Sequence, residues 1–244
     1  MTSDLLIAVG LSLLGGLGGL LVAAALLMVA DSVRTRLIPW LVSYAVGALL
    51  GVSMLAILPE TLGQLPPTQV FATLLAGILL FFLLEKLVLW RHCHTHDCEL
   101  HESSAQMVLV GDAFHNFVDG AVIAAAVITS VPLGITTAVA VAAHEIPQEV
   151  GDFAILLNAG YSRRRALCLN ALSGAAGGVG AIATFIFIDT LPAVLPYILV
   201  LAAASFLYVA MADLIPGLHR GRTDAGSLRQ ILLIAAGIAT TVLI

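Results

Sequence analysis

Hydrophobic residues follow one another along this chain in long, nearly uncharged runs. The runs match the roughly 17 to 25 residues that an α-helix needs to cross a bilayer. They are continuous and rich in Leu, Ala and Gly, whereas the strands of a membrane β-barrel alternate apolar and polar residues. The pattern predicts an all-α polytopic membrane protein with eight transmembrane helices, at about residues 4–30, 37–62, 69–91, 106–130, 132–159, 164–190, 192–218 and 227–244.

Composition excludes a soluble globular domain. Of 244 residues, 60% are hydrophobic and 10% are charged, and the mean hydropathy is +1.07. A soluble fold of this size cannot bury so much apolar surface. The first run has no basic segment before it and no small-residue cleavage site, so we interpret it as a helix and not as a signal peptide. We expect one transmembrane domain over residues 1–244.

The basic residues predict the orientation. With eight spans, all ten fall on one side, which the positive-inside rule makes cytoplasmic. Both termini are then extracytoplasmic. The acids Asp4, Glu60 and Asp189 lie on the opposite side, as ordinary interfacial residues or as a mouth that concentrates cations. The ten basic residues are Arg34, Arg36, Lys86, Arg91, Arg163, Arg164, Arg165, Arg220, Arg222 and Arg229.

A cluster of polar residues interrupts predicted spans 4 and 5. It contains five acids and no Lys or Arg. An ionised carboxylate in hydrocarbon costs several kcal/mol, so these acids must be protonated, hydrated or neutralised by a bound cation. Hydrogen bonding between helices is the structural alternative, but it would need only one or two polar residues. The cluster is Asp112, His115, Asn116, Asp119, His144, Glu145, Gln148, Glu149 and Asp152.

Helical spacing brings part of this cluster together. His115 and Asp119 are four residues apart, as are His144 and Gln148, so each pair shares a helix face. The connection between the two spans is very short, which makes them antiparallel neighbours. At 1.5 Å per residue, the four side chains lie about 14 to 22 Å above the inner helix ends. They can therefore meet near the membrane centre.

Two imidazoles, a carboxylate and an amide oxygen suit Zn²⁺, with Fe²⁺, Mn²⁺, Co²⁺ and Cd²⁺ as alternatives. Glu145 and Glu149 fall in the same layer, rotated around span 5. Asn116 and Glu145 could complete a second, adjacent metal position with Asp119 as a bridge. Because the binding forms are neutral His and ionised Asp, affinity should fall at acid pH.

Two other features concern packing and metal handling. Prolines near the ends of spans 2 and 7, in "ILPE" and "LIPG", hint at a 3+2+3 inverted repeat around spans 4 and 5. Runs of small residues such as "GGLGG" (15–19) indicate close helix packing, a sliding surface or a dimer seam. The cytoplasmic loop 92–102 is rich in His and Cys, which suits transient metal capture, although a solvated polar loop explains it as well.

The motifs "HNFVDG" (115–120) and "HEIPQEVGDFAILL" (144–157) resemble the paired signatures of the ZIP family of zinc- and iron-transporting membrane proteins. The second motif is closest to the subgroup whose pattern reads HEIPHE followed by GDFA. The stretch "FLYVAMADLIP" (206–216) is similar to that subgroup's seventh helix. The resemblance covers all eight spans.

The resemblance implies uptake of divalent metal toward the cytosol through a mononuclear or binuclear site. It also implies a homodimer in which a transport domain moves against a scaffold. Gln148 departs from the pattern, because that position is His in this subgroup and Glu elsewhere in the family. The departure suggests a looser, less selective site. The metal ligands that the family resemblance implies are His115, Asn116, Asp119, His144, Glu145 and Gln148.

Other functions remain as alternatives. "HEIPQ" (144–148) is one letter from the H-E-x-x-H motif of metalloproteases, but Gln replaces the second His and a proline interrupts the helix. A proton-coupled carrier of an organic substrate and a metal sensor are further candidates. We expect a transporter and not an enzyme, with no catalytic residue, no bound cofactor and no nucleic-acid partner. Its expected location is the plasma (inner) membrane.

Overall fold

The computed structural model describes residues 2–92, 100–188, 192–219 and 225–244. Within these ranges every regular element is a helix, which confirms the all-α prediction. The α-helices are α1 (Thr2–Met28), α2 (Asp31–Gly51), α3 (Leu58–Leu62), α4 (Pro67–His92), α5 (Leu100–Thr129), α6 (Val131–Asn158), α7 (Arg163–Gly174), α8 (Ala176–Ile188), α9 (Leu195–Tyr208), α10 (Ile215–His219) and α11 (Ala225–Leu243). Two π-helices (Val52–Ile57 and Val209–Leu214) and one 3₁₀ turn (Pro192–Val194) complete the set.

Several of these helices can cross a membrane. Six helical stretches of the described chain are long and apolar enough to do so. The two remaining predicted spans correspond to α6, which is 28 residues long but contains buried acids, and to the shorter apolar stretch Ser227–Leu243. The chain is therefore an integral, multi-pass membrane protein. The six stretches are Ser3–Met28, Ser32–Leu62, Pro67–Leu84, Val108–Thr129, Arg163–Ile188 and Pro192–Leu218.

A one-residue connection fixes α5 and α6 as antiparallel neighbours. Ser130 lies between them in extended conformation, and its hydroxyl accepts a hydrogen bond from the backbone N–H of Leu133. This N-cap satisfies one of the free amides of the first turn. Pro132 follows in that turn, where its missing N–H costs nothing. The sharp turn keeps the polar segments of both helices side by side.

The helices form two groups. In the first group, α1 packs on α6, and α8 packs on α5, with α5 and α6 also in contact. In the second group, α2 packs on α11, and α4 packs on α9. Contacts of α2 with α6 and of α5 with α9 join the groups. The polar cluster therefore belongs to the first group and faces the second.

This packing follows the 3+2+3 pattern. In such a repeat, spans 1, 2, 3 and 4 correspond to spans 6, 7, 8 and 5. The contact of α1 (span 1) with α6 (span 5) then corresponds to that of α8 (span 6) with α5 (span 4). The contact of α2 (span 2) with α11 (span 8) likewise corresponds to that of α9 (span 7) with α4 (span 3). Both spans 2 and 7 also contain a six-residue π-helix that ends two residues before a proline, Pro59 or Pro216. Two departures from regular α-helix at matching positions support an internal repeat.

Some basic side chains pack on aromatic rings. The Arg165 guanidinium lies 4.6 Å from the Tyr161 ring centre, and that of Arg229 lies 4.7 Å from the Trp40 ring centre. Such contacts suit the interface region, where apolar rings meet charged groups. Residues 93–99 of the His/Cys-rich loop, Asp189, Arg220 and Arg222 lie outside the described residues.

Candidate metal centre

Four side chains from α5 and α6 converge at the contact between these helices: His115, Asp119, His144 and Glu145. The Nε2 atoms of the two histidines lie 3.0 Å apart. Asp119 Oδ2 lies 3.2 Å from His144 Nε2 and 3.7 Å from His115 Nε2. Glu145 Oε1 lies 3.5 Å from His115 Nε2 and 3.7 Å from His144 Nε2. We call this set the histidine cluster.

These separations match those of ligands around one small cation. Zinc binds His nitrogen and carboxylate oxygen at about 2.0 to 2.2 Å in tetrahedral geometry, which separates neighbouring ligand atoms by about 3.3 to 3.6 Å. The distances of 3.0 to 3.7 Å in the histidine cluster bracket this range. The donor atoms are thus close enough to bind a single ion without any helix movement.

The histidine cluster is buried and contains two acids but no Lys or Arg. Asp119, His144 and Glu145 are 2% exposed or less, whereas 21% of the His115 side chain is accessible. Among the described residues, no carboxylate oxygen of Asp119 or Glu145 takes part in a hydrogen bond, and α5 and α6 contain no Lys or Arg. Buried acids whose nearest possible partners are two histidines are costly when ionised, so the site calls for a cation or for protons.

The backbone orients His144. Its Nδ1 atom lies 3.1 Å from the carbonyl oxygen of Ala140, one turn earlier in α6. When Nδ1–H donates to that carbonyl, the lone pair of Nε2 points into the cluster. This arrangement is typical of metal-binding histidines, whose second nitrogen is held by an outer partner. His144 is therefore oriented as a ligand.

A second group of acids adjoins the first. Asp112, Glu145 and Glu149 each place a carboxylate oxygen within 4.8 Å of the others, and we call them the carboxylate cluster. The Asp112 side chain accepts hydrogen bonds through Oδ1 from Asn116 Nδ2 at 3.0 Å and from Gln148 Nε2 at 3.3 Å. Glu145 belongs to both clusters and connects them.

The structure thus separates the predicted ligands by environment. Asn116 and Gln148 both donate to Asp112 instead of joining the histidine cluster, and their direct metal ligation stays a prediction. Glu149 lies in the carboxylate cluster. Sequence reasoning placed Asp112 in the polar cluster but not among the metal ligands, and it missed Asn170. Asn170 is a buried amide in α7, and neither polar atom of its side chain is hydrogen bonded within the described residues.

Glycines of α1 allow this helix to lie directly against the site. A Cβ atom at Gly16 would lie 2.8 Å from Asn116 Oδ1 and 2.9 Å from the carbonyl oxygen of Gly174. A Cβ atom at Gly19 would lie 3.0 Å from the Glu145 Cβ. These distances are shorter than ordinary carbon contacts. The "GGLGG" run of α1 therefore packs tightly against the helices that carry the two clusters.

A cavity of about 480 Å³ reaches the site from one side. His115 lines it, which explains why this ligand is more accessible than the other three. Ser205, Tyr208 and Asp213, from α9 and the second π-helix, lie along the same cavity. The cavity lies between the two groups of helices, and apart from these polar side chains its wall is mostly apolar.

The chain is similar in sequence to known membrane proteins. The model of the ZIP zinc transporter family matches residues 90–244. The chain is 36% identical over 222 residues to Zinc transporter ZIP13 of Pongo abelii, an alignment that covers 83% of this chain and 65% of the relative. It is 44% identical over 127 residues to Zinc transporter ZIP6 of Homo sapiens, covering 51% and 17% of the two proteins. It is 43% identical over 119 residues to Zinc transporter ZIP4 of Homo sapiens, covering 48% and 18%.

The extent of these matches differs along the chain. The chain spans 65% of the ZIP13 relative's length and less than a fifth of the other two relatives. The family match includes both α5 and α6, and so it includes the histidine cluster and the carboxylate cluster. Membership of the HEIPHE subgroup stays a prediction. The matched region covers well over half of the sequence, and the chain belongs to the ZIP zinc transporter family.

Proposed function

We propose that this protein transports divalent transition metal, with zinc as its principal substrate, into the cytoplasm through the histidine cluster. The observation that supports this most directly is the convergence of His115, Asp119, His144 and Glu145 at ligand spacing in buried parts of membrane helices. The relatives named as zinc transporters support the same substrate. Fe²⁺, Mn²⁺, Co²⁺ and Cd²⁺ are the alternative substrates.

The proposed path crosses the protein in three stages. A hydrated cation enters past the outer acids and exchanges water for the ligands of the histidine cluster. The outer side then closes, and the ion leaves past Asp112, Asp152 and Asp213 toward the side where the positive-inside rule places the cytoplasm. The cavity that connects His115 with Asp213 supports this exit route. In this proposal gradients drive the ion.

The assembly and its location belong to the same proposal. The family resemblance implies a homodimer in which a transport domain moves against a scaffold, and the two groups of helices are suitable candidates for these units. We expect the homodimer in the plasma (inner) membrane. Light scattering on the purified protein in detergent tests the first expectation, and membrane fractionation tests the second.

Uptake by proteoliposomes tests the proposed activity. Purified protein is reconstituted in vesicles that contain a metal-sensitive dye, and Zn²⁺, Fe²⁺, Mn²⁺, Co²⁺ or Cd²⁺ is added outside. Protein molecules in the two orientations are distinguished in the Cys168→Ala background with a membrane-impermeant thiol reagent, because Cys93 and Cys98 on the predicted cytoplasmic side are then the remaining thiols of the sequence. Zinc entry above that of empty vesicles supports the proposal. Equal rates in protein-containing and empty vesicles for every metal would reject it.

Replacement of Gln148 by histidine should favour zinc. The Gln148 amide donates to Asp112, so its side chain is close to both clusters but supplies no strong ligand. An imidazole at this position adds a nitrogen donor that zinc prefers. We expect Zn²⁺ affinity to rise about tenfold relative to Mn²⁺, which is the lower end of the 10 to 100-fold loss that follows removal of one supporting partner around a metal.

The measurement is competitive uptake of zinc and manganese by Gln148→His and the parent protein. Gln64→His, on the exposed segment after α3, is a matched control for the added imidazole. An unchanged selectivity and affinity in Gln148→His would contradict the idea that Gln148 loosens the site.

A further inference from the structure

Two arginines and a tryptophan lie near the N-terminal ends of α2 and α11. The Arg229 guanidinium of α11 lies 4.7 Å from the centre of the Trp40 ring of α2. Arg36 precedes Trp40 by four residues in α2, so both side chains lie on the same face of that helix. We call Arg36, Trp40 and Arg229 the arginine–tryptophan site. None of its members belongs to the metal path proposed above.

Close packing holds α2 and α11 in register. A Cβ atom at Gly47 would overlap the backbone carbonyl of Ile234, so the two backbones touch there. Trp40 and Arg229 both precede their counterparts in this contact, which means that the helices run in parallel and begin on the same side. Arg36 then lies level with the first turn of α11, one turn closer to the ends of both helices than Trp40.

Positive charge at this site is not balanced by acids. Among the described residues, neither Arg36 nor Arg229 forms an ion pair with a carboxylate. Both side chains are exposed, and Trp40 is partly buried. Both helices also begin here, and the partial positive charge of a helix N-terminus adds to that of the side chains. Like charges about one helical turn apart repel each other, so the site favours a bound anion.

The depth of the site in the membrane favours one kind of anion. The positive-inside rule places these helix ends at the cytoplasmic surface, and tryptophan is typical of the level of the lipid headgroups. A guanidinium binds phosphate oxygens through two parallel N–H donors. Leu232, three residues after Arg229 and on the same helix face, is 61% exposed and can lie against an acyl chain. Phosphate with acyl chains below it is the chemistry of a phospholipid.

We infer that the arginine–tryptophan site binds the headgroup phosphate of an anionic phospholipid in the inner leaflet. Arg36 and Arg229 donate to the phosphate oxygens, and the face of the Trp40 ring holds the Arg229 guanidinium in place. The inference goes beyond the proposed metal transport and does not rest on it. A lipid bound here attaches the second group of helices, which contains α2 and α11, to the membrane surface.

Tryptophan fluorescence reports this site directly. The sequence contains two tryptophans, Trp40 and Trp90, so Trp90→Phe leaves Trp40 as the remaining one. This protein is reconstituted in phosphatidylcholine bilayers, and lipid with brominated acyl chains is added as either phosphatidylglycerol or phosphatidylcholine. Bromine quenches an indole at short range, so the ratio of the two quenching curves gives the preference of the site for the anionic headgroup.

We expect brominated phosphatidylglycerol to quench Trp40 at a lower mole fraction than brominated phosphatidylcholine. One basic residue near the membrane surface contributes about fivefold to the binding of anionic lipid, so Arg36→Gln and Arg229→Gln should each reduce the preference about fivefold. Arg229→Lys serves as the second variant if Arg229→Gln does not fold, because it keeps the charge and loses the two-donor geometry. Arg164→Gln, at an exposed position of α7, removes the same charge and should leave the preference unchanged.

Two results would overturn the lipid site. One is equal quenching of Trp40 by the two brominated lipids. The other is a preference in Arg36→Gln and Arg229→Gln that equals that of Arg164→Gln, which would indicate a general attraction of the basic surface. Sodium phosphate and sodium chloride at the same ionic strength distinguish lipid from free phosphate. Equal screening by both salts supports the lipid, whereas stronger displacement by phosphate rejects it in favour of a soluble anion.

Discussion

Replacement of His144 by alanine should abolish zinc uptake and reduce zinc affinity by at least about 100-fold. His144 supplies the most buried nitrogen of the histidine cluster, and its Nε2 atom lies 3.0 Å from that of His115 and 3.2 Å from Asp119 Oδ2. Removal of an outer-shell partner already costs 10 to 100-fold in metal affinity, and loss of a direct ligand should cost more. Only three ligands would remain in the cluster.

The measurement combines proteoliposome uptake with zinc titration of the purified protein. His144 also packs near the Phe206 ring, with 6.1 Å between ring centres, so thermal unfolding of the variant is recorded to separate ligand loss from a packing defect. Cys168→Ala is the control, because this thiol is exposed on α7 and could otherwise be mistaken for a soft ligand. Full uptake by His144→Ala would show that the histidine cluster is not the transport site.

Asp119→Ala should have an effect of the same kind for an electrostatic reason. Without Asp119 the histidine cluster keeps one carboxylate, so less negative charge is available to balance the positive charge of the metal.

The position of Asp119 beside His115 could be predicted from the sequence, because residues four apart share a helix face. In the same way, the short connection at Ser130 correctly predicted that α5 and α6 are antiparallel neighbours.

The sequence could not predict which way each side chain turns around α6. Helix heights place Gln148 and His115 within about 2 Å of one another, but height says nothing about rotation of the helix about its axis. In the structure the Glu145 Cβ lies close to Gly19 of α1. The Glu145 carboxylate faces the histidines, and the Gln148 amide faces Asp112.

The two π-helices could not be predicted from the sequence either. A proline provides no N–H for the carbonyl four residues earlier and crowds it. For Pro59 and Pro216, those carbonyls belong to Leu55 and Ala212, inside the two π-helices. Pro147, however, lies within an uninterrupted α-helix. A proline in the sequence therefore marks a position where a π-helix can form, and packing against neighbouring helices determines whether it forms.

Replacement of Gly120 by alanine should strongly destabilise the fold. A Cβ atom at Gly120 would overlap the backbone carbonyl of Gly177, so α8 would have to move away from α5. Backbone atoms cannot yield as a flexible side chain can, and overpacking of a core typically costs about 1 to 3 kcal/mol. Gly177 also lies against the Asn116 carbonyl, so a shift of α8 disturbs the segment that holds Asp112.

Thermal unfolding in detergent and zinc uptake should therefore both decline in Gly120→Ala. Gly10→Ala on α1 is a matched control away from the cavity beside His115, because a Cβ atom at Gly10 would meet nothing within 4 Å. Alanine is the better helix former, so this control should be neutral or slightly stabilising. If both variants unfold at the same temperature, the close approach of α5 and α8 does not limit stability. If only Gly120→Ala loses stability and uptake, tight packing of these two helices holds the metal-binding segment in place.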